Sequence, residues 1–282
     1  MIRTVTLNTG FDEVFIVSAV EPGGVTDVRS HVTLASGKGI NAARTIASLG
    51  EPVKAYTLIG RADQDRFREL LEKDRVESLL VPIDSSTRHN LTLLDESAGR
   101  PAAHVRAPGF ALSNPSPIES LTAELAKDIQ PGDRVILHGS TPQGLDARTW
   151  ARIGEAAVER GAKLLLDIYG EPLLHALELP VEVCKPNEEE IRVLPVAGVD
   201  AALRFMVERG VRLPVVSRGA EGLSFLIDGR IGNERKAVEH PRFLVGAGDA
   251  AMAGLTVALQ RGLSPLEAIR YAVAMAAAHV EG

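Results

Sequence analysis

The segment Gly246-Ala247-Gly248-Asp249 could place an acid beside an anion-binding turn. A short apolar run precedes it and an Ala-rich helical pattern follows at once. Glycines let the backbone approach an anion without an obstructing Cβ, and free N–H groups at a helix N-terminus face negative charge. An aspartate here could accept a proton from an attacking hydroxyl while the amides stabilise a transferred phosphoryl group. Asp249 could equally cap the helix, so the segment alone leaves both roles open.

The same glycines fit a loose dinucleotide-binding motif, G-x-G-x-x-A. That motif requires an acidic residue about 20 positions later, at the end of the next strand. Glu267 has the spacing, but it lies in a helical pattern beside Leu266 and Ala268. No strand is predicted directly after the glycines, so the sequence argues against a dinucleotide site.

A second glycine-containing turn, Gly37-Lys38-Gly39-Ile40-Asn41, precedes another predicted helix. The N–H groups of a first helical turn, an amide side chain and a lysine together suit the hydroxyls and charge of a sugar phosphate. The turn lacks the full G-x-x-x-x-G-K-[ST] pattern of a P-loop. Taken alone, it could also be a tight helix-initiating turn with a solvated lysine.

Two further turns follow predicted strands. Asn187 can cap a helix that begins at this turn. Asn187 and Glu190, one helical turn apart, could together hold water around Mg²⁺. The alternative is that the acidic residues of this turn only favour the helix dipole. The turn at 216–222 lies between two strands, where it could wrap a nucleotide phosphate or simply form a hairpin turn.

The elements that must position these turns alternate along the chain. Apolar runs of strand length alternate with segments of helical period, and this alternation predicts βαβ units and a mostly parallel sheet. The predicted strands are 2–7, 53–59, 134–137, 163–166, 181–184, 214–217 and 223–227. The predicted helices are 41–49, 64–73, 147–160, 201–209, 250–260 and 265–279.

Two β-rich stretches, at about 11–34 and 85–108, interrupt this alternation. Both contain turns but no good helical pattern, and both could leave one sheet edge and pair as a small β lid over the core. Two long surface loops are the alternative. With no internal repeat or linker in the sequence, we predict one domain over residues 1–282.

Composition limits the partners. A chain of 282 residues with 45% hydrophobic content suits one large α/β domain. Its net charge of −6 provides no long-range attraction to nucleic acid or to an anionic membrane, so we expect neither as a partner. The single cysteine, Cys184, favours a reducing compartment. An N-terminal strand pattern, rather than a long apolar stretch, leads us to expect a cytoplasmic protein.

The motifs and their order resemble the phosphofructokinase B branch of the ribokinase-like sugar kinases along the whole chain. The matching pieces are Thr6-Leu7-Asn8 with Asp12, the turn from Gly37 to Asn41, Thr87-Arg88 with Asn90, Gly139-Ser140-Thr141-Pro142, Lys185-Pro186-Asn187 with Glu190, Ser217 with Gly219 and Gly222, and the turn from Gly246 to Asp249. Within that branch the chain is most similar to the 1-phosphofructokinases and tagatose-6-phosphate kinases. The resemblance implies a three-layer α/β/α core with a small β-sheet lid, and a homodimer formed through that lid.

The resemblance also implies roles. Asp249 would be the base, and the amides of Gly246, Ala247 and Gly248 would form the anion hole. The implied substrate-binding residues are Asp12, Gly37, Gly39, Asn41 and Ser140, with Lys38, Arg88 and Asn90 for a substrate phosphate. The implied ATP-binding residues are Lys185, Asn187, Ser217, Gly219 and Gly222, and Asn187 and Glu190 would organise Mg²⁺ through water.

The expected reaction is ATP-dependent phosphorylation of a ketose phosphate, first of all fructose 1-phosphate to fructose 1,6-bisphosphate. The Gly-Lys-Gly-Ile-Asn form of the second turn points to a phosphorylated substrate. The alternatives are tagatose 6-phosphate, another sugar or nucleoside, and an inactive sugar-binding or regulatory protein. Arg106 departs from the family pattern, and it could be an extra phosphate ligand or a solvated lid residue.

Overall fold

The computed structural model describes residues 1–21, 23–97, 100–239 and 241–282. The strands are β1 Ile2–Thr6, β2 Gly10–Val17, β3 Val28–Ser36, β4 Val53–Gly60, β5 Glu77–Ile83, β6 Arg88–Asp95, β7 Arg100–Val105, β8 Arg134–Gly139, β9 Lys163–Ile168, β10 Val181–Cys184, β11 Leu213–Ser217, β12 Leu223–Ile227 and β13 Arg230–Glu234. The helices are α1 Lys38–Ser48, α2 Gln64–Lys73, α3 Ser116–Asp128, α4 Thr149–Glu159, α5 Glu171–Ala176, α6 Val199–Glu208, α7 Ala247–Gln260 and α8 Pro265–Glu281.

A nine-stranded sheet runs through the core in the order β13-β12-β11-β10-β9-β8-β1-β4-β5. Its strands pair in parallel from β11 to β5, while β12 and β13 add an antiparallel edge. The short apolar runs of the sequence become fully buried strands, as β1 illustrates. This is the burial that a parallel sheet with helices on both faces requires.

Two apolar clusters cover the two faces of this sheet. One contains Trp150 and the buried residues of α3, α4, α5 and α6, and the other contains Phe67 and the buried residues of α1, α2, α7 and α8. Successive strand residues alternate between the clusters, since Ile136 belongs to the second and Leu137 to the first. The predicted three-layer α/β/α architecture is confirmed.

A second, four-stranded sheet has the order β3-β2-β6-β7. Strand β2 pairs in parallel with β6, and the outer pairs are antiparallel. The two β-rich stretches therefore pair with each other, as expected for the lid, and they are not two separate surface loops. The predicted lid ranges include residues 22, 98 and 99, which lie outside the described residues.

Some elements differ from the sequence prediction. Strands β5 and β13 and helices α3 and α5 occupy segments for which no element was predicted. The prediction of a helix after Asn187 is wrong, because that segment forms a turn followed by one 3₁₀ turn, Glu190–Val193.

Among the described helices, none combines the length and apolar character needed to cross a membrane.

Candidate active site

The turn before α7 has a backbone that selects glycine. Gly246 precedes the helix with a φ of 93°, in the left-handed region that favours glycine. A Cβ at this position would come 2.8 Å from Nε2 of His279 on α8. The same Nε2 lies 2.8 Å from the carbonyl oxygen of Val245, so α8 braces the turn from behind.

Asp249 lies inside the first turn of α7 and is almost fully buried. Its Oδ2 accepts a hydrogen bond of 2.9 Å from Nδ2 of Asn41, and its Oδ1 lies 3.3 Å from Nε2 of His138. The helix begins at Ala247 and its N-cap has no side-chain hydrogen bond. The interpretation of Asp249 as a helix cap is therefore wrong, and its carboxylate is directed towards α1 and β8.

Helix α1 can reach Asp249 because it packs closely on β1. A Cβ on Gly39 would overlap Oγ1 of Thr6, so only glycine permits this approach. Gly37, with a φ of 135°, turns the chain into the helix from β3. The close approach places Asn41 opposite Asp249, and it explains the glycine at position 39 by packing.

Asp167, a buried carboxylate near the end of β9, contacts three basic side chains. Asp167 is 2% exposed, and its Oδ2 lies 2.6 Å from Nζ of Lys185 and 3.1 Å from Nε2 of His138. Its Oδ1 accepts a hydrogen bond of 3.2 Å from Nζ of Lys38. Burial acts to raise the pKa of Asp167, but the charges of Lys185, Lys38 and His138 outweigh it and hold that pKa well below its usual range.

Lys38 bridges this cluster to the next turn. Its Nζ donates to Oε1 of Glu190 at 3.1 Å as well as to Asp167, and its side chain is 34% exposed. Burial acts to lower the pKa of Lys38, but the charges of Asp167, Glu190 and Asp249 raise it above its ordinary value. Lys38 is thus a cation of the site at neutral pH, whereas its contact with a substrate phosphate stays a prediction.

The lid contributes a second polar group. Oδ1 of Asp12 accepts from Nδ2 of Asn90 at 2.7 Å, and its Oδ2 accepts from Oγ of Ser36 at 2.6 Å. Nη2 of Arg88 donates to the carbonyl oxygen of Asn8 at 3.0 Å. Burial lowers the pKa of Arg88, and nearby Asp12 opposes that shift. The hydrogen bond between Asp12 and Asn90 aligns these two side chains on adjacent strands of the lid.

Arg106 lies close to Arg88 at the lid end of the site. It is exposed, and its charge adds to the lowering of the pKa of Arg88. It lines the same cavity as Arg88 and His104. Two guanidinium groups therefore face one space, an arrangement suited to an anion.

Ser140 belongs to the loop after β8. Its Oγ accepts a hydrogen bond of 2.8 Å from Nδ2 of Asn8, and Oδ1 of Asn8 in turn accepts from the backbone N–H of Phe110 at 2.9 Å. Asn8 therefore connects the end of β1 with the loop after β8. These contacts support the loop, and the predicted contact of Ser140 with substrate stays a prediction.

The turn after β10 is fixed by reciprocal hydrogen bonds. Oδ1 of Asn187 accepts from the backbone N–H groups of Glu189 and Glu190 at 2.8 and 2.9 Å, and Oε2 of Glu190 accepts from the N–H of Asn187 at 2.9 Å. Asn187 thus caps a short turn, and the predicted α-helix does not form there. A shallow groove beside it is lined by Asn187, Glu188, Glu189, Ser217, Arg218 and Gly219.

Gly222 completes the turn between β11 and β12. Its carbonyl oxygen accepts from the N–H of Arg218 at 2.9 Å, and its φ is 84°. The two strands are antiparallel neighbours, so the segment is a hairpin turn. The predicted role of Ser217, Gly219 and Gly222 at a nucleotide site stays a prediction.

One cavity of about 250 Å³ brings most of the predicted residues together. The predicted residues that line it are Asp12, Gly37, Lys38, Asn41, Arg88, Asn90, Lys185, Asn187, Glu190, Ser217, Gly246, Gly248 and Asp249. Gly219 lines the groove beside it. The predicted residues that line neither space are Gly39, Ser140, Gly222 and Ala247.

Two residues of the charged centre were not predicted from the sequence, His138 and Asp167. Both stand near the carboxyl ends of adjacent parallel strands, β8 and β9. Ligands of open α/β sheets bind at that edge, so a polar residue ending a buried strand was the available signal. Each residue directly follows a predicted strand, 134–137 or 163–166, but the sequence does not show that these two strands are neighbours.

The described residues contain no group of three or more His, Cys, Asp or Glu side chains arranged to hold a metal ion. Mg²⁺ usually keeps several waters and takes one or two carboxylates together with substrate phosphates. Glu190 lines the cavity and accepts a hydrogen bond from the backbone N–H of Asn187, so it can supply such a carboxylate.

Comparison with known proteins identifies the family. Residues 9–282 match the pfkB family of carbohydrate kinases. The chain is 32% identical to the 1-phosphofructokinase of Xanthomonas campestris pv. campestris over 94% of this chain and 86% of that one. It is 30% identical to the ATP-dependent 6-phosphofructokinase isozyme 2 of Escherichia coli over 98% of this chain and 91% of that one.

A solved structure gives the same result for the fold. Escherichia coli phosphofructokinase-2, determined in complex with potassium, superposes with a TM-score of 0.90 at 28% identity, over 100% of this chain and 93% of that one. The match therefore includes both sheets and the turns between them. By sequence and by fold, the chain belongs to the pfkB family of carbohydrate kinases.

Proposed function

We propose that this carbohydrate kinase transfers the γ-phosphoryl group of ATP to the C6 hydroxyl of fructose 1-phosphate. The observation that carries the proposal is a buried carboxylate, Asp249, held by Asn41 at 2.9 Å beside the N-terminus of α7 and open to a cavity with arginines at its other end. The similarity to a 1-phosphofructokinase supports this choice of acceptor.

Asp249 is the proposed general base. A hydroxyl lying against its carboxylate would lose its proton to one of the two oxygens, while the hydrogen bond from Asn41 keeps the carboxylate in one orientation. The N–H groups at the start of α7 would face the transferred phosphoryl oxygens, and the helix dipole adds to the favourable potential there. The left-handed Gly246 supports this role, because it turns the backbone sharply into the helix.

The ATP phosphates would lie between the α7 turn and the turn at Asn187. Lys185 lies on this side of the cavity, since a Cβ on Gly248 would come 3.7 Å from its Nζ. The groove formed by Ser217 and Gly219 continues outward from there and supports nucleotide binding. Asn187 and Glu190 would hold Mg²⁺ through water, and the bound ion would neutralise charge on the phosphate oxygens.

The substrate phosphate would lie at the lid end of the cavity. Arg88 and Arg106 offer paired cationic donors there, and planar guanidinium groups suit phosphate oxygens. Asp12 and Asn90 would contact sugar hydroxyls from the same sheet. Lys38, tied to Asp167 and Glu190, would instead contribute its charge near the transferred group.

A 6-phosphofructokinase activity is the second candidate, because the chain is 30% identical to an Escherichia coli enzyme with that name. ADP release should be measured with fructose 1-phosphate, fructose 6-phosphate, tagatose 6-phosphate, fructose and a nucleoside. We expect the highest kcat/KM with fructose 1-phosphate. A higher value with fructose 6-phosphate or tagatose 6-phosphate would replace the proposed acceptor, and no ADP release with any sugar would favour a binding or regulatory protein.

Two further predictions concern the protein outside the reaction. Exposed apolar residues on the lid, including Val28, Val32 and Val105, support a homodimer formed through that sheet. Light scattering would test it, and a monomer at micromolar concentration would contradict it.

A buried free cysteine, Cys184, and the need for ATP support a location in the cytoplasm.

A further inference from the structure

His138 lies at the centre of the charged residues, although nothing in the sequence motifs marks it. It is fully buried near the end of β8, and Gly39 of α1 packs against its Cβ. Its Nε2 lies 3.1 Å from Oδ2 of Asp167 and 3.3 Å from Oδ1 of Asp249. One ring nitrogen thus lies between the buried carboxylate of β9 and the proposed base of α7.

The position of Nε2 determines where the ring carries a hydrogen. A lone pair at this point would face two negatively charged oxygens, so Nε2 is the protonated nitrogen. Neither contact of Nε2 with the two carboxylates is a well-aligned hydrogen bond, and Nδ1 has no hydrogen-bond partner among the described residues. A ring held this way acts through its charge and its hydrogen on both carboxylates together.

The balance of nearby charges favours a cationic ring. The charged groups of this cluster are Asp167 and Asp249, which face Nε2, and Lys38, Lys185 and Glu190, which join them through ion pairs with Asp167 or Lys38. Three carboxylates and two ammonium groups leave one negative charge unbalanced, and a protonated His138 balances it. Burial acts to lower the pKa of His138, but the charge on Asp167 and the contact with Asp249 raise it above its ordinary value.

We propose that His138 is a positioning residue for the phosphoryl transfer, whose cationic ring joins Asp167 to Asp249 and keeps the Asp249 carboxylate ionised and oriented towards the cavity. This inference rests on the proposed function of Asp249 as base. Asp249 shares its site with Glu190, Asp167 and the phosphates of its substrates, all of which oppose its negative charge. A cation 3.3 Å away offsets that repulsion.

Two substitutions separate the charge of His138 from its N–H group. His138→Gln keeps a neutral N–H donor near the position of Nε2, and His138→Leu keeps bulk only. With His138→Gln we expect the acid limb of the pH profile of kcat/KM, which reports protonation of the base, to move up by about one to two pH units, with a small change at alkaline pH. With His138→Leu we expect kcat to fall about 10- to 100-fold even at alkaline pH, and the KM values to change much less.

His175→Gln is the matched control. His175 also lies near two carboxylates, Glu171 and Glu178, but it is on α5, away from the cavity. We expect its pH profile to coincide with that of the wild type. An acid limb that does not move in His138→Gln, in a protein whose thermal unfolding shows it to be folded, would overturn the inference.

A second measurement needs neither catalysis nor a stable variant at position 138. In wild-type protein labelled at histidine, we expect the His138 ring signals to titrate above the ordinary histidine range, and Asp249→Asn to shift that titration to lower pH. A His138 signal that is insensitive to Asp249→Asn would overturn the inference. If the wild type released no ADP with any sugar but this NMR shift appeared, the proposed function would fail while the link between His138 and Asp249 would stand.

Discussion

Nδ2 of Asn41 donates a 2.9 Å hydrogen bond to Oδ2 of Asp249, across a separation of 208 positions in the chain. This bond joins the first turn of α1 to the first turn of α7. Each of these two helices follows one of the glycine-containing turns identified in the sequence. It depends on Gly39, because any larger residue there would separate α1 from Thr6 of β1. The orientation of the proposed base is therefore fixed by packing at the opposite end of the chain.

Asn41→Ala should lower kcat by about 10- to 100-fold, since a hydrogen bond to a charged group contributes about 1.5–3 kcal/mol. We expect KM for the sugar to change much less, because the amide N–H is used on Asp249. Steady-state kinetics will test this, with Asn114→Ala, in the loop before α3, as the remote control. A large increase in KM with an unchanged kcat would show instead that Asn41 contacts the sugar alone.

Arg88→Gln should raise KM for phosphorylated sugars about 10- to 100-fold, the effect of losing a charge-assisted contact. KM for unphosphorylated fructose should remain within about threefold of the wild-type value if Arg88 contacts only the substrate phosphate. Arg61→Gln, an exposed arginine paired with Asp84, serves as the control. An equal loss on both kinds of sugar would contradict a phosphate-binding role for Arg88.

Lys38→Ala should behave differently from the arginine variant. Removing Nζ leaves Asp167 without one of its cations and Glu190 without its ion pair, so kcat should fall along with binding. We expect the loss of kcat to appear with phosphorylated and unphosphorylated sugars alike. A pure increase in KM, restricted to phosphorylated sugars, would instead return Lys38 to the role that the family resemblance first suggested.

Asp167→Asn should destabilise the fold by about 3–5 kcal/mol, because Lys185 would then be buried without this carboxylate and Lys38 would lose one of its two acidic partners. Since the folded-state pKa of Asp167 is depressed, its contribution is present above the ordinary carboxyl pKa of about 4 and is lost as the pH falls towards the folded value. Denaturant unfolding at pH 7 and at pH 3 will measure both effects. The difference between wild type and variant should shrink at the lower pH.

Asp84→Asn is the control for that measurement, because Asp84 pairs with Arg61 on an exposed surface. Surface pairs contribute less than about 1 kcal/mol, so this variant should stay close to the wild type at both pH values. An Asp167→Asn protein that is as stable as Asp84→Asn would contradict the buried ion cluster.

Much of this architecture could be predicted from the sequence. The strand 181–184 and the helix 64–73 were predicted with their exact limits, because their flanking turns and periodicity agree. Helix α3 was missed because its first turn contains Pro117 in a Pro- and Ser-rich stretch that resembles a loop. Strand β5 was missed because Pro82 lies within it, which is possible since β5 is at the sheet edge.

The site could be predicted only in part. The turns carrying Asp249 and Asn41 have glycine patterns that a sequence reveals, whereas the pairing of His138 with Asp167 depends on which strands are neighbours. That order, with β8 next to β9 and β1, is a property of the assembled sheet. The location of Lys38 between two carboxylates likewise needs the turn at Glu190, which is distant in sequence.

The central claim is that Asp249 is the base of an ATP-dependent sugar phosphate kinase, and one measurement tests it most directly. ADP release with fructose 1-phosphate should be compared between the wild type and Asp249→Asn, a substitution that keeps the shape of the side chain and removes its basicity. We predict that kcat falls by about 10²- to 10⁴-fold while the variant stays folded. A kcat within a few-fold of the wild-type value would contradict the role of Asp249.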